Sequence, residues 1–319
     1  MNNKKTAVVR SAIGSLSSVG FLKFLEENGF YLAGADISDE CVGRFFTDSF
    51  FKVPKAEMEE QVWECYRKIV LETSAEWIIS GPENEISVLA KKEKMFADMG
   101  CTLFHPSLDV LETITDKMNF YEFAYENGIL TPRTVLPDNP ELKSMDMPLI
   151  LKPRKGRGST GIEIFNCIPE NFNPLDWDDY IVQEFIEGQE YTVDILTDME
   201  GRLLNCIPRR RIKVDSGITV IGKVEKNKEL IGIIESLVEK ISFKGALCIQ
   251  FFHSEKDGRY YLTDVNPRFG GGSFLSVRSS ESFQRNIVNL LKSRWDKLEY
   301  NNYDFKELSM YRYYSEVFI

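Results

Sequence analysis

Apolar runs and amphipathic stretches alternate along the first 115 residues. TAVVR reads as a strand, and GFLKFLEENG as an amphipathic helix stopped by Gly29. FYLAGADI is a second strand ending near Asp36, and FFKVP a short third one. EMEEQVWECYRKIVLETS predicts a long helix, EWIISGP a strand, Glu85–Met99 another helix and CTLFHPS a strand. Strands alternating with helices specify a parallel, doubly wound α/β sheet. A further helix, KMNFYEFAYENG, follows, with Thr115 as its expected N-cap and Gly128 as its stop. Pro132, Pro137, Pro140 and Pro148 then mark a connecting region. From Leu149 the pattern shortens, and LILKP, GIEIF, YIVQEF, YTVDIL and LLNCIP are brief strands between glycine and charged turns. A helix is expected over Lys228–Lys240, strands at GALCIQFF and RYYLTDV, and a helix over Glu281–Leu298. The aromatic tail, YRYYSEVFI, is strand-like, and it is open whether Tyr311, Tyr313 and Tyr314 pack on the chain's own core or on a partner. The organisation predicted is a Rossmann-like lobe followed by an α+β body.

Composition narrows the partners. The 319 residues carry a formal net charge of −10, which repels nucleic acid and anionic lipid, so neither is expected to bind. No run approaches the ~20 apolar residues of a membrane span, and MNNKKTAVVRSAIGS lacks the pattern of a secretory leader. Six scattered cysteines without a C-x-x-C, and only two histidines, argue against zinc or a disulfide framework. A cytoplasmic setting is the expectation.

Chemistry concentrates in four segments. In YLTDVNPRFGGG (Tyr261–Gly272), Asp264, Asn266 and Arg268 fall at alternate positions, so an extended chain lines them on one face about 6–7 Å apart. A carboxylate and an amide are hard oxygen ligands for Mg²⁺, and a guanidinium clamps phosphate. The same letters also suit an ordinary turn at a strand end. LKPRKGRGSTGI (Leu151–Ile162) sets Lys152, Arg154, Lys155 and Arg157 among glycines, as a polyphosphate-binding loop or a solvated hairpin would. It is not a Walker A loop, since no G-K-[ST] follows. YIVQEFIEGQEYTVDIL is either a linker whose backbone meets an adenine edge or a plain hairpin. RRRIK after Pro208 puts Arg209, Arg211 and Lys213 on one strand face, for an anionic substrate or for solvent. Gln250 in ALCIQFF precedes Asp264 by one hairpin, which makes the two cross-strand neighbours.

Together these segments resemble the ATP-grasp superfamily, in its carbamoyl-phosphate-synthetase-like and carboxylate–amine ligase branch. The resemblance runs through GADIS, Asp116-Lys117 with NGILTPRT, LILKPRKGRGSTGI, VQEFIEGQEYTVDIL and LTDVNPR. It implies a Rossmann-like pre-ATP-grasp domain over 1–115, a lid lobe over 116–186 and a C-terminal lobe over 187–319. Lys117 and Lys152 would then contact nucleotide phosphates under a loop of Gly158, Ser159, Thr160 and Gly161. Glu184, Phe185 and Ile186 would meet the adenine edge and Glu190 the ribose. Gln250, Asp264 and Asn266 would bind Mg²⁺, for which Mn²⁺ could substitute. Arg268 would hold the γ-phosphate or acyl phosphate, and Arg209 and Arg211 the substrate carboxylate. The implied activity is ATP-dependent activation of a small carboxylate as an acyl phosphate for attack by an amine or other nucleophile, with a homodimer as an allowed assembly. Two departures stand out. Asp264 is one methylene shorter than the common Glu, and Gln250 replaces the acid of many ligases, so a second Mg²⁺ would be weakly held. The alternatives are a non-catalytic ATP-binding protein, a split carbamoyl-phosphate-synthetase-like subunit and a NAD-dependent oxidoreductase. The last rests on Asp36, about twenty residues past the first loop, but that loop holds only Gly14 and Gly20.

Overall fold

The computed structural model describes residues 5–15, 17–156, 161–169 and 172–319. The alternating N-terminal pattern folds as β1 (Ala7–Ser11), α1 (Ser18–Glu27), β2 (Tyr31–Asp36), β3 (Ser49–Lys52), α2 (Glu59–Thr73), β4 (Trp77–Ile79), α3 (Glu83–Ala90), α4 (Glu93–Asp98) and β5 (Thr102–Leu103). The strands are parallel, in the order β3-β2-β1-β4-β5. Central β1 is buried along its whole length, as a parallel strand covered by helices on both faces must be. The chain order reverses between β1 and β4, which makes that gap the topological switch point. Asp36 does not wait for a ribose: its carboxylate accepts from the N–H groups of Gly14 and Ser38 and holds the β1–α1 loop.

Three sequence expectations change here. The helix expected over Glu85–Met99 is two helices, because Lys92 leaves helical backbone (φ −120°, ψ 22°) and sets its ammonium 4.5 Å from the Trp63 ring centroid. An unexpected α5 (Leu108–Thr115) precedes α6 (Lys117–Glu126). Thr115 closes α5, donating to Leu111 O, while Asp116 caps α6 by accepting from the N–H groups of Met118 and Asn119.

The next strands, β6 (Thr134–Val135), β7 (Leu149–Pro153), β8 (Glu163–Phe165) and β9 (Tyr180–Glu184), form an antiparallel sheet ordered β6-β9-β7-β8. Then follow β10 (Gly188–Thr197), β11 (Leu203–Asp215), β12 (Ile218–Val224), α7 (Lys228–Val238), β13 (Gly245–Ser254), β14 (Tyr260–Asn266), α8 (Ser273–Ser279), α9 (Glu281–Leu291) and β15 (Ser309–Tyr311). These strands make an antiparallel sheet ordered β14-β13-β10-β11-β12-β15. The helix expected to reach Leu298 stops at Leu291, since Ser293 takes a left-handed φ of 52°. In the tail only Ser309–Tyr311 pairs, with β12, and Tyr311, Tyr313 and Tyr314 stay exposed instead of packing on the core.

One core joins the first sheet to the last. Val8, Phe21 and Leu22 pack in the same cluster as Leu204, Ile207, Phe283 and Ile287. A second cluster ties α3, α5 and α6 to α7 and the six-stranded sheet through Ile86, Leu111, Phe120 and Ile234. The small sheet keeps its own core of Val135, Leu142, Met145, Leu149, Leu151 and Val182. Among the described residues no helix is long and apolar enough to cross a membrane.

Candidate functional site

A cavity of about 570 Å³ lies between the small sheet and one face of the six-stranded sheet. Strand alternation builds its floor. Glu190 and Thr192 on β10, Arg209 and Arg211 on β11, Gln250 on β13 and Asp264 and Asn266 on β14 all line it. Gln250 and Asp264 are register partners across the β13–β14 hairpin. Asn266 Nδ2 lies 3.4 Å from Asp264 Oδ2, and Asn266 Oδ1 accepts from Arg268 Nη2 at 3.0 Å. The same Arg268 nitrogen donates to Glu83 Oε1 at 3.0 Å. Glu83 opens α3 and has no counterpart in the sequence reading. An acid in a first helical turn looks like an ordinary dipole partner, and only the fold brings it to residue 268. Past β14, Gly270 and Gly272 allow close approach. A Cβ at either would sit 2.6 Å from Cys248 Sγ or from Arg209 Nη1 respectively.

The roof comes from β7 and α6. Lys152 is buried on β7, and loss of solvation pushes its pKa down to about 8, with Asp264 pulling it up and Lys117 pushing it further down. Lys117 lines the cavity and donates to Gly156 O at 3.2 Å. Two of the loop's cations are engaged: Arg154 and Lys155 pair with Asp116 at 3.0 and 3.9 Å, fixing the loop base to the α6 N-terminus. Arg157, Gly158, Ser159 and Thr160 lie outside the described residues. Gly161 is off the cavity wall, which Gly156 and Ile162 line on either side of the loop.

Glu184–Gly188 crosses from one sheet to the other, so the plain-hairpin alternative does not hold: β9 pairs with β6 and β7, and β10 with β11 and β13. The N–H groups of Glu184 and Phe185 donate to Arg133 O and Pro148 O. That of Ile186 has no partner among the described residues. Glu184, Phe185 and Ile186 all line the cavity, beside the apolar side chains of Ile150 and Phe252.

Arg209 and Arg211 of β11 are already paired. Arg209 is 3% exposed and donates through Nε to Asp194 Oδ2 at 2.7 Å. Asp194 also accepts from Ser273, Ser276 and Cys248, a buried cluster absent from the sequence reading. Arg211 is bonded to Glu190, Thr219 Oγ1 and Gly217 O. Burial pushes the Glu190 carboxyl up, and Arg211 opposes it. Lys213, expected on the same face, is exposed, because the β11–β12 register shifts on both sides of it.

Among the described residues no group of three or more His, Cys, Asp or Glu side chains converges on a metal position. The oxygen donors at hand are one carboxylate and two amides. Asp264 has only the 3.4 Å contact from Asn266, and the Gln250 side chain has no hydrogen bond among the described residues. Such a sparse, hard-oxygen set fits Mg²⁺, which keeps waters and phosphate oxygens in its shell, better than it fits a metal needing a full protein cage.

Residues 114–272 match the ATP-grasp domain family. A D-alanine–D-alanine ligase of Petrotoga mobilis is 27% identical over 170 residues, 47% of this chain and 56% of the ligase. A carbamoyl phosphate synthase large chain of Thermoplasma acidophilum is 25% identical over 217 residues, 61% of this chain and 20% of the synthase. The matched region thus spans about half of the first relative and a fifth of the second. Among solved structures, N5-carboxyaminoimidazole synthetase from Staphylococcus aureus complexed with ADP superposes with a TM-score of 0.72 at 14% identity, over 91% of this chain and 79% of that one. Its fold is therefore that of the present sheets and lobes. With the motif order, the sheet topology and the family match in agreement, residues 114–272 belong to the ATP-grasp domain family.

Proposed function

We propose that the protein is an ATP- and Mg²⁺-dependent ligase that activates a small carboxylate as an acyl phosphate and passes it to an amine. The observation that carries this reading is the convergence of Lys152 from the small sheet with Gln250, Asp264, Asn266 and Arg268 from the large one on a single cavity. In the first step a carboxylate oxygen of the substrate attacks the γ-phosphorus, the bond to the β,γ-bridging oxygen breaks, and ADP leaves. In the second, the amine attacks the acyl carbon, phosphate departs, and the nitrogen gives up its proton. Lys117 and Lys152 neutralise phosphate charge, and Arg268 faces the oxygens that gain it during transfer. The unpaired Ile186 N–H and the nearby apolar side chains suit an adenine edge, and Glu190 suits the ribose. Bound Mg²⁺ would be held by Gln250, Asp264 and Asn266 and would supply charge neutralisation at the phosphates. The lobe at 116–186, carrying the glycine loop, acts as the lid that keeps water from the acyl phosphate. Arg209 and Arg211 border the substrate end, held by Asp194 and Glu190. The named activities of relatives, a D-alanine–D-alanine ligase and a D-aspartate ligase, support carbon–nitrogen bond formation. A cytosolic homodimer belongs to the same reading.

The test is ADP release from the full chain against a panel of amino acids, hydroxy acids and sugar acids, each with and without an amine, beside calorimetric titration of Mg–ATP. Carboxylate-dependent ADP release is expected. Mg–ATP binding with no release across the panel would point instead to a non-catalytic nucleotide-binding protein.

A further inference from the structure

Arg209 and Arg211 each have an acid, yet both also donate to one hydroxyl. Thr219, on β12 and opposite Val214 of β11, accepts from Arg209 Nη1 at 3.3 Å and from Arg211 Nε at 3.2 Å. Register shifts on both sides of Lys213 bend β11, and the bent hairpin carries Thr219 to two arginines 10 and 8 residues before it. A hydroxyl has two lone pairs and one proton. The two guanidiniums fill both lone pairs, and a guanidinium has no acceptor for the proton. Among the described residues nothing else takes it. Asp194 is engaged by Arg209, Cys248, Ser273 and Ser276, and Glu190 by Arg211.

That proton is an open donor on the cavity wall. Thr219 is 2% exposed and lines the main cavity. A buried donor without a partner costs free energy that a bound acceptor recovers. Donation from two cations polarises the O–H bond and strengthens what it gives. An ammonium group has no lone pair to accept it, and an anionic oxygen accepts more strongly than a neutral one. The wall beside it leaves room for a ligand. Gly271 and Gly272 line the cavity where a Cβ would sit 3.1 Å from Ile218 Cγ2 or 2.6 Å from Arg209 Nη1 respectively.

We propose that the Thr219 hydroxyl is the donor that holds a carboxylate oxygen of the substrate, and that Arg209 and Arg211 are positioning residues acting through it. Placing a substrate carboxylate at this end rests on the ligase reading; the open donor does not. The arginines then keep their acids when the substrate binds. Neither buried ion pair has to break, which would leave Asp194 or Glu190 uncompensated.

The experiment is calorimetric titration of the full chain, loaded with Mg–ADP, with alanine, lactate and gluconate. These stand for the amino, hydroxy and sugar acids, and their primary amides are the neutral controls. At least one acid should bind, with its amide weaker by about tenfold or more. Thr219→Val keeps the shape and removes the proton, so it should weaken that acid by about tenfold or more while the Kd for Mg–ADP stays within about twofold. Thr219→Ser should recover the affinity to within about threefold. Thr219→Cys, a weak donor, should fall between, and takes the place of valine if valine unfolds the chain. An acid that binds Thr219→Val as tightly as the parent overturns the donor, as does a parent that binds none of the three acids. ADP release that ignores Thr219→Val would keep the ligase reading and remove this site. Acid binding that depends on Thr219, with no ADP release from any acid and amine, would keep the site and remove the ligase reading.

Discussion

Lys152 is buried beneath the small sheet with its pKa pushed down to about 8, so its charge is present only below that pH. A neutral amine attracts phosphate less than an ammonium does. Nucleotide binding to the free protein should therefore weaken several-fold as pH rises from about 7 to about 9. Lys152→Arg, whose charge persists, should flatten that limb in calorimetric titrations of Mg–ADP; an unchanged limb would assign it to another group. Arg209 makes a different demand. Truncating it to Met strands the Asp194 carboxylate in a buried site, at a cost of about 3–5 kcal/mol in denaturant unfolding. If Arg209 served only the substrate, Arg209→Met would leave stability alone. How much of this was legible follows from the physics of a strand. Alternation with period two put Asp264, Asn266 and Arg268 together, and put Arg209 on the face with Arg211, from single segments. Asp194 was invisible because its pairing with Arg209 is a diagonal contact between strands, set by the β10–β11 register that neither strand encodes alone.

Gly188 shows what an element junction needs. It starts β10 with φ of 155°, and a Cβ there would overlap the carbonyl oxygen of His253 on β13. The backbone of β13 cannot yield without breaking a sheet that carries Gln250. Gly188→Ala should thus destabilise by about 2–4 kcal/mol, read by thermal or chemical unfolding, and weaken Mg–ADP binding with it. A variant as stable as the parent would show the junction to be pliable. In sequence this glycine marked a turn, and a hairpin was as good a reading as a crossing between sheets. What distinguishes them is the partner of each flanking strand, a non-local choice. Asp116 presents the same contrast at a helix end. Thr115 and Asp116 are both good caps by residue type, and α5, weakly signalled in sequence, uses up Thr115 and leaves Asp116 to cap α6. Asp116 then gains a second duty, pairing with Arg154 just past the end of β7.

At the scale of the molecule, the N-terminal region reaches the cavity and the proposed transfer site through the ion pair of Glu83 with Arg268, residues 185 apart in sequence. No pattern reading could join them, since the contact exists only once the first and last sheets share a core. Arg268 Nη2 is anchored twice, by Glu83 and by Asn266, while its Nε has no partner. Losing Glu83 leaves a single neutral anchor on a long side chain, and the guanidinium regains rotamer freedom. On the proposed reading the adenine and ribose contacts lie elsewhere, so binding should survive when transfer does not. Glu83→Gln is therefore expected to lower kcat for ADP release about 10- to 100-fold while the Kd for Mg–ATP stays within about twofold. The pH profile separates orientation from mere packing. Burial pushes the Glu83 carboxyl up, and Arg268 opposes it without reversing the shift. As pH falls, the wild-type carboxylate protonates above the ordinary glutamate range and releases Arg268, giving kcat an acid limb. Glutamine cannot titrate, so the Glu83→Gln profile should be flat across that limb. Equal limbs in both proteins, or a loss confined to ATP affinity, would show that Glu83 only braces the domains and leaves the aim of Arg268 to Asn266.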